Sequence, residues 1–155
     1  MKHLLIVTLL LVIGCSTLPV EQTQNQEVIS IQNMSKEQIF KKTSQWLAVS
    51  FGSSNAVIQY KDSSEGKFIC QIITSAYSAE HISTVSFHTT MTIDIKDGRS
   101  RFTFVAHDMS GNGEPYGPIY NVGGSQKLVQ NSFKTVKDSY LNYMLGKNKK
   151  DDNNW

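Results

Sequence analysis

The sequence is poor in cysteine, in proline and in charge of either sign to excess. Of its 155 residues two are cysteine and three are proline. Two thiols cannot build the disulfide framework of a small secreted scaffold, and they fit none of the multi-cysteine zinc spacings. Fifteen Lys+Arg against 13 Asp+Glu leave a net charge of +2. That provides no broad basic field, so nucleic acid is not an expected partner. No apolar run reaches the ~20 residues of a membrane-spanning helix. No serine elbow, H-E-x-x-H or P-loop pattern occurs. No catalytic residue and no cofactor are therefore expected.

What is present begins with an address. Lys2 precedes an apolar run from Leu4 to Ile13, and Val12-Ile13-Gly14-Cys15 follows. The run is too short to span a bilayer and has the length of a secretory h-region. An aliphatic residue, a small residue and then cysteine resembles the bacterial lipobox, in which the cysteine is acylated and becomes the first residue after cleavage. Each buried acyl CH₂ contributes about 0.8 kcal/mol, and more than one chain gives stable anchoring. Ser16, in place of an aspartate, points to the outer membrane, and no acidic cluster follows to suggest export to the cell surface. The expected organisation is a signal peptide at 1–14, lipidated Cys15 with a flexible tether to 26, one domain at 27–146 and a polar tail at 147–155.

Hydrophobic residues make up 39% and charged residues 18%, the balance of one compact domain. Val28 to Ile31 reads as a strand. Ser35 with Gln38 is a capping box, and Ile39, Phe40, Thr43, Trp46, Leu47 and Phe51 then recur at helical spacing up to Gly52. Ala56–Tyr60 and Lys67–Thr74 read as strands around turn residues 62–66. Thr84–Lys96 alternates cleanly, and Asp97-Gly98 after it is a hairpin signal of type I′. A two-residue turn opposes Lys96 to Arg99, Asp94 to Arg101, Ile93 to Phe102 and Met91 to Phe104, so that apolar meets apolar and acid meets base. Residues 108–124, rich in glycine and proline, read as a long loop. Leu128, Val129, Phe133, Val136, Tyr140, Tyr143 and Met144 then form a second helical stripe that ends at Gly146. The expected fold is α+β, in the order β-α-β-β-β-β-α, with both helices on the apolar face of a five-stranded antiparallel sheet.

Ile39-Phe40, Trp46-Leu47, Phe51, Val57-Ile58-Gln59-Tyr60, Gly66-Lys67 and the hairpin from Ile95 to Phe104 together resemble a bacterial secreted family, domain of unknown function 4468. The resemblance covers roughly 28–145. It implies a TBP-like fold and carries over no catalytic residue. A shared fold does not transfer DNA binding.

Several residue groups warrant a chemical reading. Asp108, Ser110 and Asn112, with Gly113, match the first positions of a calcium loop, but Ile119 stands where a bidentate acid belongs. The reading is an Asx- and Gly-rich turn without a metal. His88 and His107 are expected to face each other across the hairpin on its polar side, without a third ligand. Cys70 reads as a buried, inert thiol. Lys96, Arg99 and Arg101 form a basic cluster at the hairpin end, interleaved with Asp94 and Asp97. Tyr116 and Tyr120 in the Gly/Pro loop can shape a recognition edge. These five are the candidate binding residues. The expected function is a periplasm-facing, outer-membrane lipoprotein that binds an envelope protein or a small apolar ligand. The alternatives are an enzyme with a dispersed active site, or a structural component of an envelope complex.

Overall fold

The computed structural model describes residues 23–52, 57–79, 82–111, 114–118 and 125–147. The signal peptide, Cys15 and the first part of the tether lie outside the described residues, as do Tyr120 and 148–155. Six strands and two helices follow in order. They are β1 (Thr23–Ser30), α1 (Lys36–Phe51), β2 (Ile58–Asp62), β3 (Lys67–Ser78), β4 (Ser83–Lys96), β5 (Arg99–Gly111), β6 (Glu114–Pro118) and α2 (Ser125–Met144). All pairings are antiparallel, in the spatial order β1-β5-β4-β3-β2. This is the expected five-stranded sheet, and both helices pack on one face of it.

Two boundaries differ from expectation. Residues 23–26, assigned above to the tether, pair with β5 from Ala106 to Thr103. Their Gln/Asn-rich sequence hides the strand, because its partner rather than its own periodicity holds it. The long loop is also partly ordered. Residues 108–111 extend β5, and β6 pairs with them. Pro115 and Pro118 are compatible with a strand there because β6 has a neighbour on one side only.

The hairpin register is as expected, including Lys96 opposite Arg99 and Asp94 opposite Arg101. Its turn is not type I′. Gly98 has φ 70°, whereas Asp97 is not among the residues with positive φ. Asp97 is held by the start of α1, where its Oδ1 accepts the Lys36 N–H at 2.7 Å. Gly98 N–H donates to the Met34 carbonyl, and Ile31 N–H donates to the Gly98 carbonyl. The hairpin tip is therefore docked on a helix N-terminus, where a carboxylate is favoured.

Of the three predicted caps, two form as expected. The Ser35 capping box is complete, whereas Gly52 ends α1 at φ 72° and ψ −114°, away from the left-handed helical conformation of a usual glycine cap. At the end of α2, Gly146 has φ 67°, its N–H reaches the Tyr143 carbonyl, and Lys147 N–H reaches that of Asn142. This is the paired bonding of a glycine-terminated helix.

The core lies between sheet and helices. Trp46 makes edge contacts with Phe51, Phe102 and Tyr140, and Phe104 stacks on Phe133 at 4.6 Å. Two polar clusters are sealed into it. Thr43, Ser100 and Tyr140 form one, and Thr74, Thr89 and Ser132 form the other. Each joins the sheet to α2, and buried hydroxyls with partners at both ends specify one packing.

Candidate binding surface

The helices cover one side of the sheet and leave the other open. Strand alternation assigns alternate residues to that open side, and the registers align them in rows. One row crosses the whole sheet as Val28, Arg101, Asp94, Lys67 and Asp62. Arg101 donates to Asp94 Oδ2 through Nη2 at 2.7 Å and Nε at 3.2 Å. Lys67 stands 3.8 Å from the other oxygen of Asp94. The next row is Gln26, Thr103, Thr92, Ile69 and Tyr60. Gln26 donates to Thr103. One row on, Gln71 donates to Thr90, whose hydroxyl lies 2.7 Å from His107 Nε2. Set into this polar lattice are exposed apolar side chains, Ile73 at 60%, Tyr77 at 63% and Val28 at 55%. An open side of this kind is wet, nearly charge-balanced and dotted with apolar anchors.

Of the sequence-predicted residues, the structure brings three together. Lys96, Arg99 and Arg101, with Asp94 and Val28, line a depression of about 250 Å³ at the hairpin end of the sheet. Arg101 is occupied by Asp94, so Lys96 and Arg99 are the two cations left facing solvent. They sit directly opposite each other, an arrangement that like charges disfavour and an anion relieves.

Tyr116 is not part of this group. It lies in β6, beside the far half of β5. Met109 there is ten residues from Arg99, or roughly 30 Å along a strand. Tyr120 lies outside the described residues.

The remaining candidates resolve individually. Asp108 and Ser110 are in an extended strand, paired with His88 and Ser86, so they do not form the turn that a calcium loop requires. Asn112 lies outside the described residues. No cluster of three metal-ligating side chains occurs among the described residues. His88 does not face His107. A bulge after His88 puts it opposite Asp108 and takes His107 out of the ladder. One extra residue in β5 shifts all that follows, and the buried apolar positions change parity with it, from Phe102, Phe104 and Ala106 to Met109. Cys70 is free and fully buried, and burial pushes its thiol up to about 12. That is the opposite of an activated nucleophile. No helix among the described residues is long and apolar enough to cross a membrane.

The fold has relatives. The sequence profile of the family described as "domain of unknown function (DUF4468) with TBP-like fold" matches residues 26–107, more than half of the chain. The chain belongs to the DUF4468 family. A TBP-like protein from Parabacteroides distasonis superimposes with a TM-score of 0.57 at 16% identity, covering 80% of this chain and 93% of its own. At that identity the likeness concerns the fold. A DUF4468 family protein from Bacteroides ovatus aligns at a TM-score of 0.47 and 15% identity, over 77% of this chain and 78% of its own. No curated protein matches the sequence. This DUF4468 chain carries both helices on one face of its sheet.

The sequence reading missed Val28, Asp94 and Lys67 as parts of one row. Their types were visible, but the row exists only because β1 and β3 flank the β4–β5 hairpin.

Proposed function

We propose that this DUF4468 chain is a binding module without catalytic chemistry, anchored by lipid on Cys15 to the bacterial outer membrane and facing the periplasm. The observation that carries the binding reading is the uncovered sheet face, with Ile73, Tyr77 and Val28 exposed among hydrogen-bonded polar rows. Exposed apolar groups on an ordered polar scaffold suit recognition, since a few desolvated anchors supply most binding energy. The groups that burial pushes furthest above their ordinary pKa are Cys70 and Tyr140. Both lie in the core rather than in a cleft, which favours binding over acid–base catalysis. The lipobox pattern at 12–15 supports the anchor.

The experiment is crosslinking in intact cells, followed by affinity purification and mass spectrometry. The expected result is a stoichiometric envelope protein that is lost when Ile73 and Tyr77 are both replaced by serine. A crosslink pattern unchanged by that double substitution refutes the face. Metabolic labelling with palmitate tests the anchor, and incorporation that survives Cys15→Ala refutes it.

A further inference from the structure

A second surface, along the β1 edge where it meets the open face at Val28, carries its own recognition chemistry. Among the described residues, β1 is hydrogen-bonded on one side only, to β5. Ile31 N–H points at the Gly98 carbonyl on the β5 side. In an antiparallel ladder successive residues alternate between hydrogen-bonded and non-hydrogen-bonded positions. Ile29 and Glu27 therefore also bond toward β5, while the N–H and C=O groups of Ser30, Val28 and Gln26 point outward. Natural edge strands are usually blunted by proline, a bulge or exposed charge. β1 has no proline, and its register is unbroken from Thr23 to Ser30. Its one charge, Glu27, is paired with Lys137 on α2.

Beside this free edge runs a groove of about 560 Å³, floored by Val28, Ile29 and Ser30 and walled by Lys134, Lys137 and Leu141 of α2. The β1 residues lining it run from Glu27 to Ser30, and at ~3.3 Å each they extend over about 13 Å. Spread over that length, the volume has a cross-section of roughly 43 Å². One strand in a packed sheet occupies about 4.8 Å by 10 Å, or nearly the same. The section thus matches one added strand by itself, with no helix behind it. The groove also offers no net charge, because Lys134 is bound to Asp138 at 2.6 Å and Lys137 to Glu27.

We propose that the groove between β1 and α2 receives an extended, uncharged segment of a partner protein as an added β-strand. Main-chain groups of Gln26, Val28 and Ser30 supply the hydrogen bonds, as in strand addition generally. On one side of the new strand its side chains meet Val28, and on the other Leu141 and the aliphatic stems of the two lysines.

The test is selection of a random twelve-residue peptide display library on the full chain in detergent, with anisotropy measurements on the selected peptides. Bound peptide is expected to slow amide exchange at Gln26, Val28 and Ser30 but not at Glu27 and Ile29, which are already bonded. Val28→Pro removes one outward N–H without touching the β5 ladder, and it is expected to weaken binding at least tenfold. Because the groove is internally neutralised, affinity is expected to change less than about threefold between 0.1 and 1 M salt. Selection of no peptide above background overturns the proposal. So does binding that leaves those three amides unprotected, or a salt dependence above about tenfold. Concentration-dependent dimerisation that protects the same amides puts a second copy in the groove and overturns the choice of partner.

Discussion

Replacing Tyr140 by phenylalanine removes one oxygen from the core, and the direction of its hydrogen bonds sets the cost. Thr43 Oγ1 donates to the Ile39 carbonyl at 2.8 Å. With its one proton committed, it accepts from the Tyr140 hydroxyl at 3.1 Å. Tyr140 in turn accepts from Ser100 at 2.7 Å. The chain of donors thus runs from β5 through α2 to α1 and ends on a backbone carbonyl. Thr43, Ser100 and Tyr140 are all fully buried. Tyr140→Phe deletes two of these bonds, each worth about 1 kcal/mol, and leaves the Ser100 hydroxyl orphaned at a further 1–3 kcal/mol. The expected loss is about 3–5 kcal/mol. With a urea slope of ~1.5 kcal/mol/M for a domain of this size, the midpoint should fall by roughly 2–3 M, followed by the fluorescence of buried Trp46. The double variant Tyr140→Phe/Ser100→Ala should recover about 1 kcal/mol, because it removes the orphan. A Tyr140→Phe midpoint corresponding to a loss below about 0.5 kcal/mol, or a double variant weaker than the single, refutes the relay.

Three further outcomes follow from the same coordinates. Gly66 has φ 72°, and an added Cβ would lie 2.5 Å from the Ile95 carbonyl oxygen, so Gly66→Ala should lose about 3 kcal/mol in urea unfolding; a loss under about 1 kcal/mol refutes the close approach. Burial raises the Cys70 thiol from 9.0 to about 12 and the Tyr140 phenol from 10.0 to about 12. Both groups ionise first in the unfolded chain, so stability is complete below about pH 9 and falls as pH rises toward about 12. Cys70→Ala should remove the earlier part of that fall, and urea midpoints that stay flat from about pH 8 to pH 11 contradict it. Arg101→Ala breaks an ion pair whose arginine is half exposed, so thermal unfolding should register a loss of no more than about 1 kcal/mol; a larger loss assigns the open-face row a structural role.

The hairpin shows how far local pattern reaches. Alternation from Thr84 to Phe104 and the Asp-Gly dipeptide sufficed for the register, because a one-residue slip would expose Phe87, Met91, Ile93, Phe102 and Phe104 together. The same pattern did not yield the turn type, since Asp97 is drawn to the N-terminus of α1 by a contact 61 residues distant in sequence. The bulge at His107 does leave a local trace. Buried apolar positions change parity from Phe102, Phe104 and Ala106 to Met109, and an unbroken register would turn Asp108 inward in place of Met109. Residues 23–26 illustrate a third case. Four polar residues have no strand signal of their own, and they become strand because β5 presents a ladder with one side open.

The functional surfaces divide along the same line. The basic residues at 96, 99 and 101 and the acid at 94 were legible as a cluster because one hairpin carries them all. The row that runs from Val28 to Asp62 was not, because five strands must first be laid side by side. The groove beside β1 lies furthest from the sequence. It depends on which strand ends at an edge, which main-chain groups are turned outward there, and which helix passes alongside. Sequence by itself determined the Ser35 and Gly146 caps, the core stripes and the hairpin register. These are encoded in residues close along the chain, where spacing alone decides which side chains share a face. Tertiary structure alone decided the edge and the two candidate surfaces. Unpaired backbone groups and neighbouring rows arise from the order of strands in space, which no local periodicity records.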